Sequence, residues 1–341
     1  MRILVTASHA PFLQGGGERH VDNLCAALRA CDHDVELLSL PFKFSPEADI
    51  ERLMTFCDGY DVSAPNGERV DRVISLQFPG YGMRHPQHVV WLMHQHRLVY
   101  ELFDPGEATP ALDDLRRKIV AYDRRALSGV SRIFANSRRV AERLLHTNGI
   151  ESTPLYHPPP GADLLRRGES WDYVFFPSRL ETLKRQDLVI EAARLLGTDT
   201  KILIGGEGPQ RLRYERLIEK HALGERVRLI GAFSEAERIA LYAHALAVVF
   251  PPFDEDLGYV TLEAMYAAKP VVTCRDSGGP LEFVVHGETG EVVDATPEAL
   301  ADAIDRLATR PNRAREMGEA GRERILAMGL SWPRVVAALC A

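Results

Sequence analysis

Short apolar runs alternate with amphipathic segments from one end of the chain to the other. "RILVTA" at 2–7 reads as a buried strand, and Val21, Leu24, Cys25 and Leu28 then recur at the spacing of one helix face. "DVELLSL", "DRVISLQF", "HVVWLMH" and "RIFANS" continue the strands, with helices fitting at 111–128 and 137–147. At "HPPPGAD" (157–163) the pattern stops, because three prolines and a glycine continue neither element. Beyond it "YVFFPS", "KILIGG", "RVRLIG", "LAVVFPP", "KPVVTC" and "GEVV" resume the alternation, and 312–341 is helical with one interruption at "GLSWP". Strand and helix in strict turn predict parallel sheets covered on both faces. The expected fold class is therefore α/β, with two doubly wound domains.

A chain of 341 residues suits two domains better than one. Its net charge of −7 gives no global attraction to nucleic acid, and no zinc-finger or basic-zipper pattern occurs. Five scattered cysteines form no CxxC pair and read as reduced thiols, which predicts a cytoplasmic protein. The first residues lack the apolar core of a signal peptide, and no apolar run has the length of a membrane span.

In doubly wound sheets ligands sit at the carboxyl ends of strands, and the polar motifs fall on those loops. "HAPFLQGGGERH" (9–20) follows the first strand, and its glycines let backbone approach a phosphate at a helix start; a plain tight turn is the alternative. It lacks GxGxxG spacing, which counts against a nicotinamide-dependent dehydrogenase. Arg179 and Lys184 flank the loop of "FPSRLETLKRQ", either as phosphate ligands or as solvated cations. "IGGEGP" (204–209) repeats the glycine theme with Gly206 at its centre. In "FDEDLGYVTLEAMY" (253–266) the helix is expected to begin near Gly258, leaving the amides of Gly258, Tyr259 and Val260 as an anion site. Glu255 and Glu263 are eight residues apart, which at about 3.6 residues per turn predicts carboxylates on one side, able to touch one polar ligand. "DED" at 254–256 superficially suggests a metal site, but the neighbouring cations fill that role and no metal is expected.

Glu255/Glu263, "PSRLETLK", "GGEGP", "GGGER" and "DSGGPLEFVVHGETGEVV", in that family's order along nearly the whole chain, resemble the retaining GT-B-fold glycosyltransferases of family 4. The resemblance implies two Rossmann-like domains facing a cleft: an acceptor-side domain at 1–158 and a nucleotide-sugar-binding domain at 159–325. A C-terminal helix at 326–341 would cross back to the first domain. It further implies that Glu255 contacts hydroxyls of the donor sugar and Glu263 the nucleotide ribose. Arg179 and Lys184 would neutralise the leaving diphosphate, Gly16 and Gly17 would approach the donor phosphates, and His94 would lie beside the donor sugar. His96 and Arg97 stay open, and Asn136 with Ser137 reads as structural capping. The family pattern E-G-F-G is "EDLG" here, so Asp256 either caps the helix or repels the diphosphate.

The implied activity is metal-independent, retaining hexosyl transfer (EC 2.4) from a UDP-, GDP- or ADP-sugar to a hydroxyl acceptor in polysaccharide or glycolipid biosynthesis, without a cofactor. Front-face attack, with no protein nucleophile, belongs to that implication. A nucleotide-sugar epimerase and a non-catalytic sugar-nucleotide-binding protein remain as alternatives. Residues 111–146 carry an excess of five positive charges, and Leu115, Ile119, Tyr122 and Ala126 stripe one helix face. That segment is either a solvated basic face or a weak contact with an anionic membrane or lipid-linked acceptor.

Overall fold

A computed structural model describes residues 1–12 and 15–341. The chain divides into two compact units, Met1–His157 with Ser331–Ala341, and Pro158–Leu330. The return to the first unit thus starts at Ser331, later than the 326 expected, because the preceding helix runs on to Ala327.

In chain order the first unit contains β1 (Arg2–His9), α1 (Gly16–Ala30), β2 (Asp34–Pro41), α2 (Glu47–Cys57), β3 (Arg72–Ser75), β4 (His88–Leu92), α3 (Pro110–Ser128), β5 (Arg132–Ala135), α4 (Arg138–Asn148) and β6 (Thr153–Pro154). Its sheet is parallel, in the order β2-β1-β3-β4-β5-β6. Every residue of β4 is buried, as a strand covered on both faces requires. Val21, Leu24 and Leu28 of α1 pack on one face of the sheet, and Leu115 and Ile119 of α3 with Val140 and Leu144 of α4 belong to the second core. Each such side chain, fully buried, contributes about 1.5–3 kcal/mol. α2 and β6 go beyond the predicted elements.

The second unit contains β7 (Tyr173–Pro177), α5 (Gln186–Ala193), β8 (Lys201–Gly205), α6 (Arg211–Lys220), β9 (Val227–Gly231), α7 (Glu235–His244), β10 (Ala247–Val249), α8 (Tyr259–Tyr266), β11 (Val271–Cys274), β12 (Gly290–Val293), α9 (Pro297–Ala308) and α10 (Pro311–Ala327). Its parallel sheet has the order β12-β11-β10-β7-β8-β9. Counted from β7 this is the 3-2-1-4-5-6 order of a dinucleotide-binding sheet, whose switch point lies between β7 and β10. The last helix, α11 (Trp332–Cys340), buries Val335, Val336 and Leu339 in the core that holds α1, and Arg72 of β3 donates to the Leu339 carbonyl at 2.7 Å.

Candidate functional site

The carboxyl ends of β7 and β10 form the switch point, and three loops are knitted together there. The Phe253 amide donates to the Leu183 carbonyl at 2.8 Å, joining the loop after β10 to the loop after β7. Asp254 and Glu255 donate to the carbonyls of Asp276 and Ser277, and Gly279 donates back to Glu255, so "DSGGP" after β11 holds the Glu255 backbone in place. Arg185 forks onto both oxygens of Asp276 at 2.9 and 2.7 Å and covers the Phe253 ring. On this frame the Lys184 ammonium donates to the Glu255 carboxylate and stands 5.7 Å from the Phe250 ring centroid. The pair is mostly sheltered, with side-chain exposures of 18% and 17%. Shielding from water strengthens an ion pair, so each charge fixes the position of the other.

Gly258 precedes α8 and adopts φ +81°, a left-handed conformation that an L side chain resists. A Cβ there would lie 3.1 Å from the Phe250 ring and 3.3 Å from Pro280. Gly258 brings no side-chain cap, and Asp256, two residues outside, is not the N-cap. In the first turn the Thr261 hydroxyl is fully buried without a hydrogen-bond partner among the described residues. Such groups are rare because leaving them unpaired costs about 1–3 kcal/mol.

The helical-period argument for Glu255 and Glu263 needs correction. Residues 255–258 are not helical, so eight residues do not equal two turns. Glu263 is instead 5% exposed: its Oε1 forms a 2.8 Å ion pair with Arg238 Nη1, and its Oε2 accepts from the Tyr242 hydroxyl at 2.6 Å. Burial works against the charge of Arg238, but Glu235 and Glu263 outweigh it and hold the guanidinium pKa above its ordinary value. Neither Arg238 nor Tyr242 was named from the sequence, since "EAERIALYAH" reads as a plain amphipathic helix.

Arg179 leaves the loop after β7 but pairs with Glu181 at 3.1 Å rather than joining Lys184 and Glu255. Buried Gln186 donates to the Arg179 carbonyl at 2.8 Å. Gly206 packs against the backbone of that same loop, where a Cβ would lie 2.1 Å from the Ser178 carbonyl oxygen. Its glycine requirement is thus met by protein alone.

The remaining candidates stand in the first unit. Gly16 and Gly17 open α1, whose N-cap is Gly15. His94 follows β4, half-buried, with Nδ1 2.7 Å from the Gln95 carbonyl oxygen. His96 packs between Phe42 and Phe78 at 5.8 and 5.5 Å, and burial, with His94 beside it, lowers its pKa to about 4. It is a neutral core residue. Arg97 pairs with Glu101 at 2.5 Å, and Ser137 caps α4 by accepting from the Val140 amide.

Residues 165–324 match the family model "Glycosyl transferases group 1", and residues 14–166 match "Glycosyltransferase Family 4". The chain belongs to this glycosyltransferase family. Human alpha-1,3/1,6-mannosyltransferase ALG2 is 34% identical over 129 residues, which is 38% of this chain and 30% of that protein. The D-inositol 3-phosphate glycosyltransferase of Pseudarthrobacter chlorophenolicus is 30% identical over 244 residues, 65% of this chain and 57% of that protein. The match thus spans between about a third and three-fifths of these relatives' lengths. Among solved structures, Anabaena Alr3699/HepE in complex with UDP and glucose superposes with a TM-score of 0.76 at 17% identity, over 100% of this chain and 98% of that one. The fold is that of the GT-B glycosyltransferases.

Two surface features of this glycosyltransferase-family chain bear on its partners. Lys118 pairs with Glu51 at 2.8 Å and Arg125 with Asp58 at 2.6 Å, so acids of α2 and the turn after it offset part of the basic excess of 111–146. Among the described residues no helix is long and apolar enough to cross a membrane, and no three His, Cys, Asp or Glu side chains cluster as a metal set.

Proposed function

We propose that the chain moves a sugar, with retention of anomeric configuration, from a nucleoside-diphosphate sugar to a hydroxyl acceptor in glycan or glycolipid synthesis. The observation that carries this reading is the Lys184–Glu255 pair at the β7/β10 switch point, next to the start of α8. A diphosphate at that helix start meets backbone dipoles of favourable sign, with Lys184 as a compact charge beside it. As its oxygens draw the Lys184 ammonium, the Glu255 carboxylate gains capacity to accept hydroxyls of the sugar. The bond from the anomeric carbon to the diphosphate breaks with oxocarbenium character, and negative charge grows on the leaving group. Lys184, Arg179 and the first amides of α8 stabilise that charge, and one such donor is typically worth about 3–4 kcal/mol. The reading assigns this countercharge to protein groups without a metal ion.

The identity of the relatives supports a nucleotide-activated donor: one neighbour was solved with UDP and glucose, and a mycobacterial relative is named as GDP-mannose-dependent. A thermal-shift screen over UDP-, GDP- and ADP-sugars tests the reading, because a ligand at 100 times its Kd stabilises the native state by about 2.7 kcal/mol. One nucleotide class should raise Tm, and that sugar should then appear on an acceptor hydroxyl. No shift with any of them would sink the proposal. Binding followed by epimerised donor, or by no turnover with any acceptor, would favour an epimerase or a binding protein.

A further inference from the structure

A groove of about 620 Å³ opens on the second unit between α5 and α6, and neither Lys184 nor Glu255 lines it. That is the size of a small-molecule site. Its α6 wall is Arg213, Arg216, Leu217 and Lys220, which the helical period puts on one face. The acids of this helix, Glu215 and Glu219, do not line the groove. Opposite charges four residues apart normally quieten a surface helix, and Arg211 with Glu215 does so at 2.9 Å. Arg216 and Lys220 are also four apart but carry like charge, and neither has an ion pair or hydrogen bond among the described residues. The carboxylates across the groove serve other partners. Asp187 accepts from Arg213 at 2.7 Å, while Glu191 accepts from Arg194 at 2.6 Å and lies 3.0 Å from the His221 ring nitrogen. Two cations are thus left beside Leu188 and Leu217, both half-buried against the core. The fourth cation of the lining is Arg185, which also belongs to the switch point. It follows Lys184 in sequence, forks onto Asp276, and takes a left-handed φ of +58°, uncommon for any residue but glycine.

We propose that this groove is a second anion site, which takes a phosphate monoester and whose occupation is felt at the switch point through Arg185. A phosphate monoester carries a charge of about −1.5 to −2 at neutral pH. Arg216 meets such a group as a planar fork and Lys220 as a compact charge. Leu188 and Leu217 receive the organic body, so an ester fits the groove better than inorganic phosphate. The same group occurs on soluble esters and on a lipid headgroup. Drawing Arg185 toward the bound charge weakens its hold on Asp276, whose carbonyl receives the Asp254 amide. The loop that carries Glu255 is loosened in consequence. The effect on the donor rests on the reading of Lys184 and Glu255 as donor ligands; binding in the groove does not.

The test is calorimetric titration with phenyl phosphate, with inorganic phosphate, and with phosphatidylcholine vesicles with and without phosphatidic acid. Phenyl phosphate should bind more tightly than inorganic phosphate. The double variant Arg216→Gln/Lys220→Gln should weaken it by about tenfold or more. Both positions are exposed, so this variant should melt like wild type. With phenyl phosphate bound, wild-type affinity for UDP, GDP or ADP should fall by about fivefold or more, and the nucleotide should weaken phenyl phosphate by the same factor. The double variant should bind the nucleotide like wild type and no longer respond to phenyl phosphate. Vesicle binding that needs both phosphatidic acid and the two cations assigns the group to a lipid headgroup, and its absence assigns it to a soluble ester. No binding of phenyl phosphate, or equal binding by the double variant, overturns the site. A nucleotide effect that persists in the double variant overturns it too, because phenyl phosphate then acts at the donor loops. Binding in the groove with unchanged nucleotide affinity removes the link through Arg185. If phenyl phosphate binds and no nucleotide does, the donor reading falls while the groove stands.

Discussion

Lys184 and Glu255 meet across 71 residues of sequence, each presented by a loop at the carboxyl end of a neighbouring strand of one sheet. On the proposed reading this pair, built from β7 and β10 at the point where the strand order reverses, serves a ligand more than it serves stability. Desolvating two sheltered charges offsets much of their attraction, so such a pair adds little net stability, whereas a positioned cation beside a departing diphosphate contributes directly to the rate. Lys184→Ala should therefore lower kcat by about 100-fold or more while Tm moves by only a few degrees. Steady-state kinetics alongside calorimetric melting checks this. A variant that unfolds, with its remaining folded fraction fully active, would show that Lys184 is structural.

The same assignment makes a statement about metals. With Lys184, Arg179 and the start of α8 carrying the countercharge, chelation should leave transfer unchanged. Activity measured before and after EDTA treatment, then with added Mg²⁺, decides it. Complete loss restored by Mg²⁺ would mean that the diphosphate needs a divalent ion.

The strands were legible because both sheets are buried on both faces, which writes each strand as a continuous apolar run; β4 and β7 are buried at every position. The loops at their ends were legible too, because Gly258 and Gly278 take positive φ values of +81° and +71°, which the sequence marks with glycine. What the sequence did not carry was tertiary pairing. Nothing in α7 marks Arg238 and Tyr242 as partners of Glu263, since residues 21 and 25 positions earlier are brought together only by the packing of two helices. The spacing argument for Glu255 and Glu263 failed for a related reason. It took the helical period through residues 255–258, which lie outside the helix: Glu255 bridges to Gly278 in the loop after β11, 256–257 are bends and Gly258 is left-handed.

Asp123 gives the first unit a distinct pH dependence. This fully buried carboxylate of α3 accepts from the Tyr81 and Tyr100 hydroxyls at 2.5 and 2.6 Å. Burial raises its pKa to about 7, and the two tyrosine hydrogen bonds only partly oppose that. The folded value lies above the unfolded one of about 3.9, so the native state holds the extra proton between these values. Its contribution to stability is fully present below about pH 4 and is lost as pH rises through about 7. Asp123→Asn should remove this slope, changing the difference from wild type by a few kcal/mol between pH 4 and pH 8. Urea unfolding across that range measures it, and parallel curves for the two proteins would show that Asp123 stays ionised throughout.

Gly258 offers the most direct test of the helix start. Alanine at φ +81° costs roughly 1–2 kcal/mol in backbone strain, and its Cβ would press on the Phe250 ring at 3.1 Å. For a domain of this size about 1 kcal/mol corresponds to roughly 2–4 °C, so Gly258→Ala should melt several degrees lower. The functional effect should exceed the stability effect. Relieving the strain would turn the first peptide units of α8, and with them the amides that the proposed reading sets against the diphosphate. Donor KM should then rise at temperatures where the variant is fully folded. Asparagine tolerates the left-handed region better than alanine, so Gly258→Asn separates the two causes. Recovery of KM by asparagine assigns the loss to backbone conformation, and failure to recover assigns it to crowding against Phe250 and Pro280. Wild-type melting and wild-type KM in Gly258→Ala would remove the start of α8 from the donor site.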